Sequence, residues 1–178
     1  MKLLRTIRLD PSDTFVFARA AEPGEWVVCG TFAFWGADPT ALEGKARAQF
    51  RAGFLGVSTL GWSTLVQIVE GGAPERAGLV ETLARQLSEH FGAPSPGEAH
   101  AAAEQEVAFV ESLCVHPPDT LLALHRSYRD GEIHEQFRTL RPRGGPKPLR
   151  AFAFLEVEEE AETDETVDLM KLAGGEPK

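Results

Sequence analysis

Residues 114–137 hold the side chains of this sequence that could do chemistry, because they include one of its two cysteines and three of its five histidines. His116, His125 and His134 follow one another at intervals of nine residues, and Cys114 precedes them. Thiolate and imidazole groups are the usual zinc ligands. A structural zinc site needs four of them, and a catalytic site needs three with an open position. The segment therefore raises the hypothesis of a metal site, which depends on how the chain folds around it.

The elements that must position these histidines are predicted to be the two strands of a β-hairpin. Asp130-Gly131 stands between the β-prone runs "LLALHRSYR" and "EIHEQFRTL", and this dipeptide favours a two-residue hairpin turn. The register that follows has four side-chain pairs, which are Arg129 with Glu132, Tyr128 with Ile133, Arg126 with Glu135, and Leu124 with Phe137. Two apolar and two opposite-charge pairs support one another in this register.

Both His125 and His134 lie on the polar face of the predicted hairpin. They become diagonal neighbours, roughly 7–8 Å apart at Cα, which is close enough for two imidazoles to share a metal. His116 precedes the hairpin, and no HExxH or CxxC pair supplies two further ligands together. Arg129 and Arg138 on the same face would repel a cation. We therefore expect a solvated polar face without a metal, and His125, His134 and His116 are the candidate ligands if one binds.

Other catalytic signatures are incomplete in this sequence. The segment "GVSTLG" at 56–61 is one residue too long for a GxSxG nucleophile elbow, and neither a P-loop nor a GxGxxG motif is present. Cys114 and His116 are two residues apart at a helix end, where their side chains point in different directions. The sequence thus predicts no catalytic residue and no cofactor. The alternative is a small-molecule or metal-dependent enzyme that uses the histidine-bearing hairpin 120–140.

The composition is that of a folded acidic protein. The 178 residues are 43% hydrophobic and 25% charged, which is enough to bury a core, and the formal net charge is −9. An acidic chain repels nucleic acids and anionic membranes, so neither is an expected partner. No apolar stretch is long enough to span a bilayer, and the first ten residues lack the apolar core of a signal peptide. Cys29 and Cys114 are far apart, which favours reduced, buried thiols and a cytoplasmic location.

The order of elements predicts an α+β fold: a mostly antiparallel sheet of about six or seven strands with three helices packed on one face. Strands are predicted at 3–9, at 14–21 and 26–35 as a hairpin, at 61–70, in the Asp-Gly hairpin, and in "AFAFL" at 151–155. Helices are predicted at 38–54 with Asp38 as N-cap, at 74–91, and from a Ser95–Glu98 capping box to about Leu113. Apolar residues that recur with the period of each element predict the core, which comprises Phe15, Phe17, Phe32, Leu42, Phe50, Leu83, Leu87, Leu124 and Phe137.

Charge is unevenly distributed towards the C-terminus. Residues 119–151 carry four acids and seven bases, whereas residues 152–178 carry nine acids and two bases. We expect one α+β domain over residues 1–158 and an acidic C-terminal tail over 159–178, whose short apolar segment needs a docking surface to form a helix. The candidate interaction residues are Arg138, Arg141, Arg143 and Lys147 near the basic loop, with Leu169 and Met170 in the tail.

Three segments of the chain resemble a family of short, uncharacterised bacterial proteins, mainly alphaproteobacterial, that form a domain of unknown function. These segments are "RTIRLDPSDTFVFARAAEPGEW", "FLGVSTLGWSTL" and "HRSYRDGEIHEQFRTL". The resemblance extends over nearly the whole chain and implies no catalytic residues, because none are assigned in the family. Its association with lipoate-ligase-like gene neighbours implies an accessory role. Together with the missing signatures, it predicts a cytoplasmic protein-interaction or accessory module with a protein partner.

Overall fold

The computed structural model describes residues 1–140, which form an α+β fold with two antiparallel sheets. In spatial order, the larger sheet contains β1 (Lys2–Thr6), β5 (Leu65–Glu70), β6 (Leu121–Arg129) and β7 (Glu132–Leu140). The smaller sheet contains β2 (Val27–Val28), β3 (Phe54–Gly56) and β4 (Trp62–Ser63). The α+β class and the antiparallel pairing are confirmed. The described strands form sheets of four and three strands, and not the single larger sheet that was predicted.

The helices of the described residues are α1 (Ser12–Val16), α2 (Gly44–Ala52), α3 (Ala73–His90) and α4 (Pro96–Leu113). The predicted start of α4 is confirmed, since the Ser95 hydroxyl accepts a hydrogen bond from the Glu98 N–H (3.2 Å) and donates one to the Glu98 carboxylate (2.9 Å). Arg76 of α3 joins the two long helices by ion pairs with Glu104 (2.9 Å) and Glu111 (3.1 Å) of α4. Among residues 1–140, no helix is both long enough and apolar enough to cross a membrane.

The first strand of the predicted N-terminal hairpin is replaced by a helix. Asp13 is turned inward, where its carboxylate accepts hydrogen bonds from the backbone N–H (3.2 Å) and the hydroxyl of Thr64. This long-range contact fixes the five-residue helix α1 at a place where the local sequence is β-prone. Phe15, which was predicted to be buried, is consequently 72% exposed. The predicted hairpin between 14–21 and 26–35 is therefore wrong.

The second strand of that hairpin ends early, at Val28, and the chain changes direction at Gly30. Its φ of 75° lies in the left-handed region that favours glycine, and the chain then turns as a 3₁₀ helix, Thr31–Phe34. A Cβ at this position would also clash with the Cβ of Leu55. Phe32 is still buried as predicted, but in a turn instead of a strand.

Two other predicted elements are divided in the structure. Asp38 caps only a short 3₁₀ helix, Pro39–Ala41, by accepting a hydrogen bond from the Thr40 N–H (2.9 Å). The α-helix that follows begins at Gly44, and Phe54, predicted to end it, begins β3. The predicted strand 61–70 is also interrupted, so that β4 belongs to the smaller sheet and β5 to the larger one.

One hydrophobic cluster joins the helices to both sheets. The predicted core residues that are buried in this cluster are Phe17, Phe32, Phe50, Leu83, Leu87 and Leu124. Leu42 and Phe137 are only partly buried against it. Cys29 and Cys114 are buried free thiols, as predicted. The predicted strand at 151–155, the basic loop beyond Leu140, the tail at 159–178 and the domain end at 158 lie outside the described residues.

We predict that Phe32→Ala will lower the free energy of unfolding by about 3–5 kcal/mol, because it removes a buried ring and leaves a cavity. The ring of Phe32 packs edge-to-face on Phe91, with their centroids 5.0 Å apart. Urea denaturation measures the loss, and Phe15→Ala at the exposed position is the control, with an expected change within about 0.5 kcal/mol. Equal effects of the two substitutions would contradict this assignment of the core.

Candidate functional site

The histidine-bearing hairpin has the register that its sequence predicts. Asp130 and Gly131 form the turn with φ angles of 55° and 79°, and positive values at both positions are what a type I′ turn requires. The four predicted pairs are all present, namely Arg129 with Glu132, Tyr128 with Ile133, Arg126 with Glu135, and Leu124 with Phe137. The placement of the histidines on β6 and β7 therefore follows from the sequence.

The three candidate metal ligands are only partly brought together. His125 opposes Gln136 and His134 opposes Ser127, so the two imidazoles are diagonal neighbours. His116 lies before β6, where its carbonyl accepts a hydrogen bond from the Lys2 ammonium (2.6 Å). In the part of the chain that the structure describes, no three His, Cys, Asp or Glu side chains are grouped as a metal site. That the protein binds no metal stays a prediction.

A groove of about 400 Å³ lies beside His125. The described residues that line it are Ala123, Leu124, His125, Gln136 and Arg138. Burial lowers the pKa of His125, and the nearby charges of Arg51 and Arg138 lower it further. Both arginines are exposed, and neither forms an ion pair with another of the residues 1–140. The groove is thus a local cationic site on an acidic protein.

The core side of the same hairpin carries a buried ion pair, whose burial the sequence analysis missed. Arg126 is 1% exposed and Glu135 is 0% exposed, and the Arg126 Nε donates a hydrogen bond to the Glu135 Oε1 (2.8 Å). The predicted register pairs Arg126 with Glu135 without placing either residue on a face of the hairpin. Strict alternation supplies the missing signal, because Arg126 shares the parity of Leu124 and therefore points into the core.

Arg126 binds three main-chain carbonyls from two other parts of the fold. Its Nη1 donates to the carbonyls of Phe50 (3.1 Å) and Gly53 (2.8 Å) at the end of α2, and its Nη2 donates to the carbonyl of Cys29. The hydroxyl of Thr31 donates to Glu135 and accepts from the Arg126 Nε (3.0 Å). The buried pair is therefore a junction between the hairpin, α2 and the segment after β2.

Glu106 of α4 is a second acid near this junction. The residue is partly exposed, but its Oε2 is enclosed, and neither that atom nor the Oε2 of Glu135 makes a hydrogen bond within the described residues. Burial raises the pKa of Glu106 to about 7, and the charge of Glu135 raises it too. Arg126 and the N–H of Gly30 oppose the rise. Two carboxylates thus compete for one guanidinium.

Neither buried thiol is suited to act as a nucleophile. Burial raises the pKa of Cys114 to about 12 and that of Cys29 well above its usual range, so both thiols are protonated at neutral pH. The Arg126–Glu135 pair is enclosed in the core, and its guanidinium is occupied by protein acceptors. The buried groups therefore hold the fold together, whereas the solvent-facing groove is where the described residues can meet a ligand.

Of the predicted interaction residues, the structure describes only Arg138. It lies exposed on β7 opposite Ala123, at the margin of the groove. The others, which are Arg141, Arg143, Lys147, Leu169 and Met170, lie outside the described residues. Sequence reasoning missed Arg51, which α2 brings near His125. No local pattern links those two positions.

Comparison with known proteins identifies a family and no activity. A family model described as "Family of unknown function (DUF6505)" matches residues 1–160. No curated protein and no solved structure matches the chain. The matched range includes every described element and continues beyond Leu140.

We predict that Glu106→Gln will remove a pH dependence of stability. The folded-state pKa of Glu106 is raised from 4.5 to about 7, so the folded protein holds this proton more tightly than the unfolded chain. The resulting stabilisation is present at low pH and is lost as the pH rises from about 4.5 through about 7. Between pH 5 and pH 8, the free energy of unfolding of the wild-type protein should fall by about 2 kcal/mol relative to that of Glu106→Gln.

Chemical denaturation at both pH values measures this difference, and Glu89→Gln on the exposed side of α3 is the control. The control should lose stability in parallel with the wild-type protein. A constant stability difference between Glu106→Gln and the wild-type protein across this range would show that Glu106 ionises normally.

We also predict that Arg126→Met will cost about 3–5 kcal/mol of stability, because it leaves the Glu135 carboxylate buried without its cation. Adding Glu135→Leu should recover part of the loss, since the double variant buries no unpaired charge. The part of the loss that is not recovered comes from the three main-chain carbonyls, which no longer have a hydrogen-bond donor. Arg129→Met at the exposed end of the same strand is the control. A double variant less stable than Arg126→Met would contradict this account.

Proposed function

The chain belongs to this family of unknown function, DUF6505, and we propose that it is a protein-interaction or accessory module that binds an acidic segment of a partner protein without catalysing a reaction. The proposal includes a cytoplasmic location and the bacterial origin that the sequence resemblance implies. Nucleic acid is not among its proposed ligands, because the chain carries a net charge of −9.

The cationic groove is the observation that supports this function best. Arg51 and Arg138 are both close enough to His125 to lower its pKa, and Arg138 lines the groove. Guanidinium groups bind carboxylates through paired, charge-assisted hydrogen bonds, which makes an acidic protein segment the matching ligand. The rest of this acidic protein repels a uniformly acidic surface. A partner whose acidic residues are clustered in one segment is therefore favoured, because only that segment needs to approach the positive site.

The predicted basic loop extends the same charge along the chain. Arg141, Arg143 and Lys147 follow directly after β7, and we propose that they contact the same acidic partner as Arg138. Leu169 and Met170 enter the proposal as apolar residues that a partner captures. These five positions enter the proposal from the sequence alone.

The absence of catalysis is supported by where the reactive groups lie. Cys29, Cys114 and the Arg126–Glu135 pair are in the core, away from any substrate. The alternative function, an enzyme that uses hairpin 120–140, would need a second reacting group in the groove beside His125, and the diagonal neighbour His134 does not line the groove. The other described residues that line the groove are Ala123, Leu124, Gln136 and Arg138, and none of them is a usual nucleophile or general base.

We predict that the Arg51→Glu/Arg138→Glu variant will bind an acidic peptide at least about tenfold more weakly than the wild-type protein, a loss of about 1.4 kcal/mol or more. The probe is a fluorescein-labelled peptide of glutamates, followed by fluorescence anisotropy at low ionic strength. Binding by the wild-type protein should weaken as salt is added, because the contact is electrostatic.

The control is Lys45→Glu/Arg85→Glu, which changes the net charge equally at exposed positions outside the groove. It should weaken binding much less than the groove variant does. If both variants weaken peptide binding equally, the affinity depends only on the net charge of the protein. No binding by the wild-type protein would contradict the function itself.

A further inference from the structure

The groove beside His125 forms where a small side chain lies opposite a long one. Ala123 of β6 opposes Arg138 of β7, and His125 opposes Gln136 two positions nearer the turn. Residues two positions apart in a strand point to the same face of a sheet, so all four lie on the outer face of the hairpin. The methyl group of Ala123 leaves a space that is lined by the three longer side chains. An imidazole, an amide and a guanidinium therefore supply the polar side-chain atoms of the groove.

Arg51 is brought close to the groove by the hydrogen bonds of Arg126. The Nη1 of Arg126 donates to the carbonyls of Phe50 (3.1 Å) and Gly53 (2.8 Å), which lie on either side of Arg51 in the chain. His125 directly precedes Arg126 in β6, so the last turn of α2 is held beside the imidazole. The Arg51 charge is accordingly one of the two that lower the pKa of His125. The position of Arg51 is therefore fixed by its main chain.

Two positive charges act on this one small space. Arg51 and Arg138 are exposed, and neither forms an ion pair with another of the residues 1–140. Burial lowers the pKa of His125, as both arginines also do, so the imidazole is mostly uncharged at neutral pH and offers one N–H donor. The described residues that line the groove include no Asp or Glu. The groove therefore combines two guanidinium charges from different elements with neutral hydrogen-bond donors.

We propose that this groove binds a doubly charged phosphoryl group, carried by a phosphorylated side chain of the acidic partner segment. The inference rests on the proposed function, because it names the group of that segment that enters the groove. A phosphorylated serine or threonine carries a charge of about −1.5 to −2 at pH 7 and three strong acceptor oxygens. A carboxylate has half that charge and two oxygens, which a single guanidinium binds. Two guanidiniums therefore fit the phosphoryl group better in charge and in the number of donors.

The small volume of the groove favours one phosphoryl group over a chain of phosphates. Ligand pockets usually measure about 300–1,000 Å³. The groove, with about 400 Å³, is near the lower end of that range. A nucleic acid carries a phosphate at every nucleotide, and the phosphates outside the groove would be repelled by a protein with a net charge of −9. A phosphorylated side chain concentrates its charge at one point, so the remainder of the partner need not approach the acidic surface.

The test compares two fluorescein-labelled peptides of equal net charge by fluorescence anisotropy. One peptide has a single phosphoserine flanked by glutamates, and in the other peptide two glutamates replace the phosphoserine. The pH is kept well above the second pKa of the phosphoryl group, which is about 6, so that this group is doubly charged. The full-length wild-type protein should bind the phosphopeptide at least about tenfold more tightly than the glutamate peptide.

Single neutral substitutions in the groove should remove this preference. Arg51→Gln and Arg138→Gln each leave one guanidinium, which a carboxylate satisfies as well as a phosphoryl group does. Arg129→Gln is the matched control, because it removes the same charge at an exposed position of β6 nearer the turn. It should keep the full preference for the phosphopeptide. All three positions are exposed, so the melting temperatures of the variants should equal that of the wild-type protein.

Two results would overturn the inference and leave the proposed function intact. If the wild-type protein binds both peptides equally, the groove recognises acidic charge and not the phosphoryl group. If both groove variants keep the preference, the phosphoryl group binds elsewhere on the protein. Displacement of the phosphopeptide by an equal concentration of inorganic phosphate would overturn the inference too, because the ligand would then be a small phosphate and not a partner segment. Failure of the wild-type protein to bind either peptide would contradict the proposed function itself.

Discussion

The packing of the two sheets depends on one buried guanidinium, that of Arg126. Moving a charge out of water costs several kcal/mol, and the cost is tolerable only when the charge is paired and its donors are satisfied. Here Glu135 supplies the opposite charge, Thr31 bridges the pair, and three carbonyls accept hydrogen bonds from Nη1 and Nη2. These acceptors come from β7, from the residues after β2 and from the end of α2. Each segment is therefore fixed relative to the hairpin by hydrogen-bond geometry and not by apolar contact alone.

The sequence predicts correctly those elements that are determined by residues close together in the chain. The hairpin register followed from Asp130-Gly131, and the start of α4 followed from Ser95 and Glu98, because the interacting residues are close in the chain. The conformation of residues 12–16 could not be predicted locally, since Asp13 is held by Thr64 from a distant segment. Arg126 is an intermediate case. Alternation places it in the core, but the general rule that arginine lies at the surface points the other way.

Charge has two separate roles on the two sides of the hairpin. On the core side, Arg126, Glu135 and Glu106 are enclosed, so their charges act on one another and on the main chain. On the outer side, Arg138 and His125 line a groove. Because the strands alternate, neighbouring residues of one hairpin serve both purposes. A substitution at an even position of β6 should therefore affect stability, whereas one at an odd position should affect the proposed binding.

The hydrogen bonds from Arg126 to Phe50 and Gly53 have a consequence for synthesis on the ribosome. The last carbonyls of a helix have no partner within it, and α2 obtains its partner from a residue more than seventy positions further along the chain. While the chain is being made, α2 emerges long before the arginine that completes its C-terminal end. A short helix without this partner is marginal in water. In the nascent chain, α2 and the segment after β2 therefore lack the hydrogen-bond donors of Arg126 until the hairpin has been synthesised. We expect the domain to fold only late in translation for this reason.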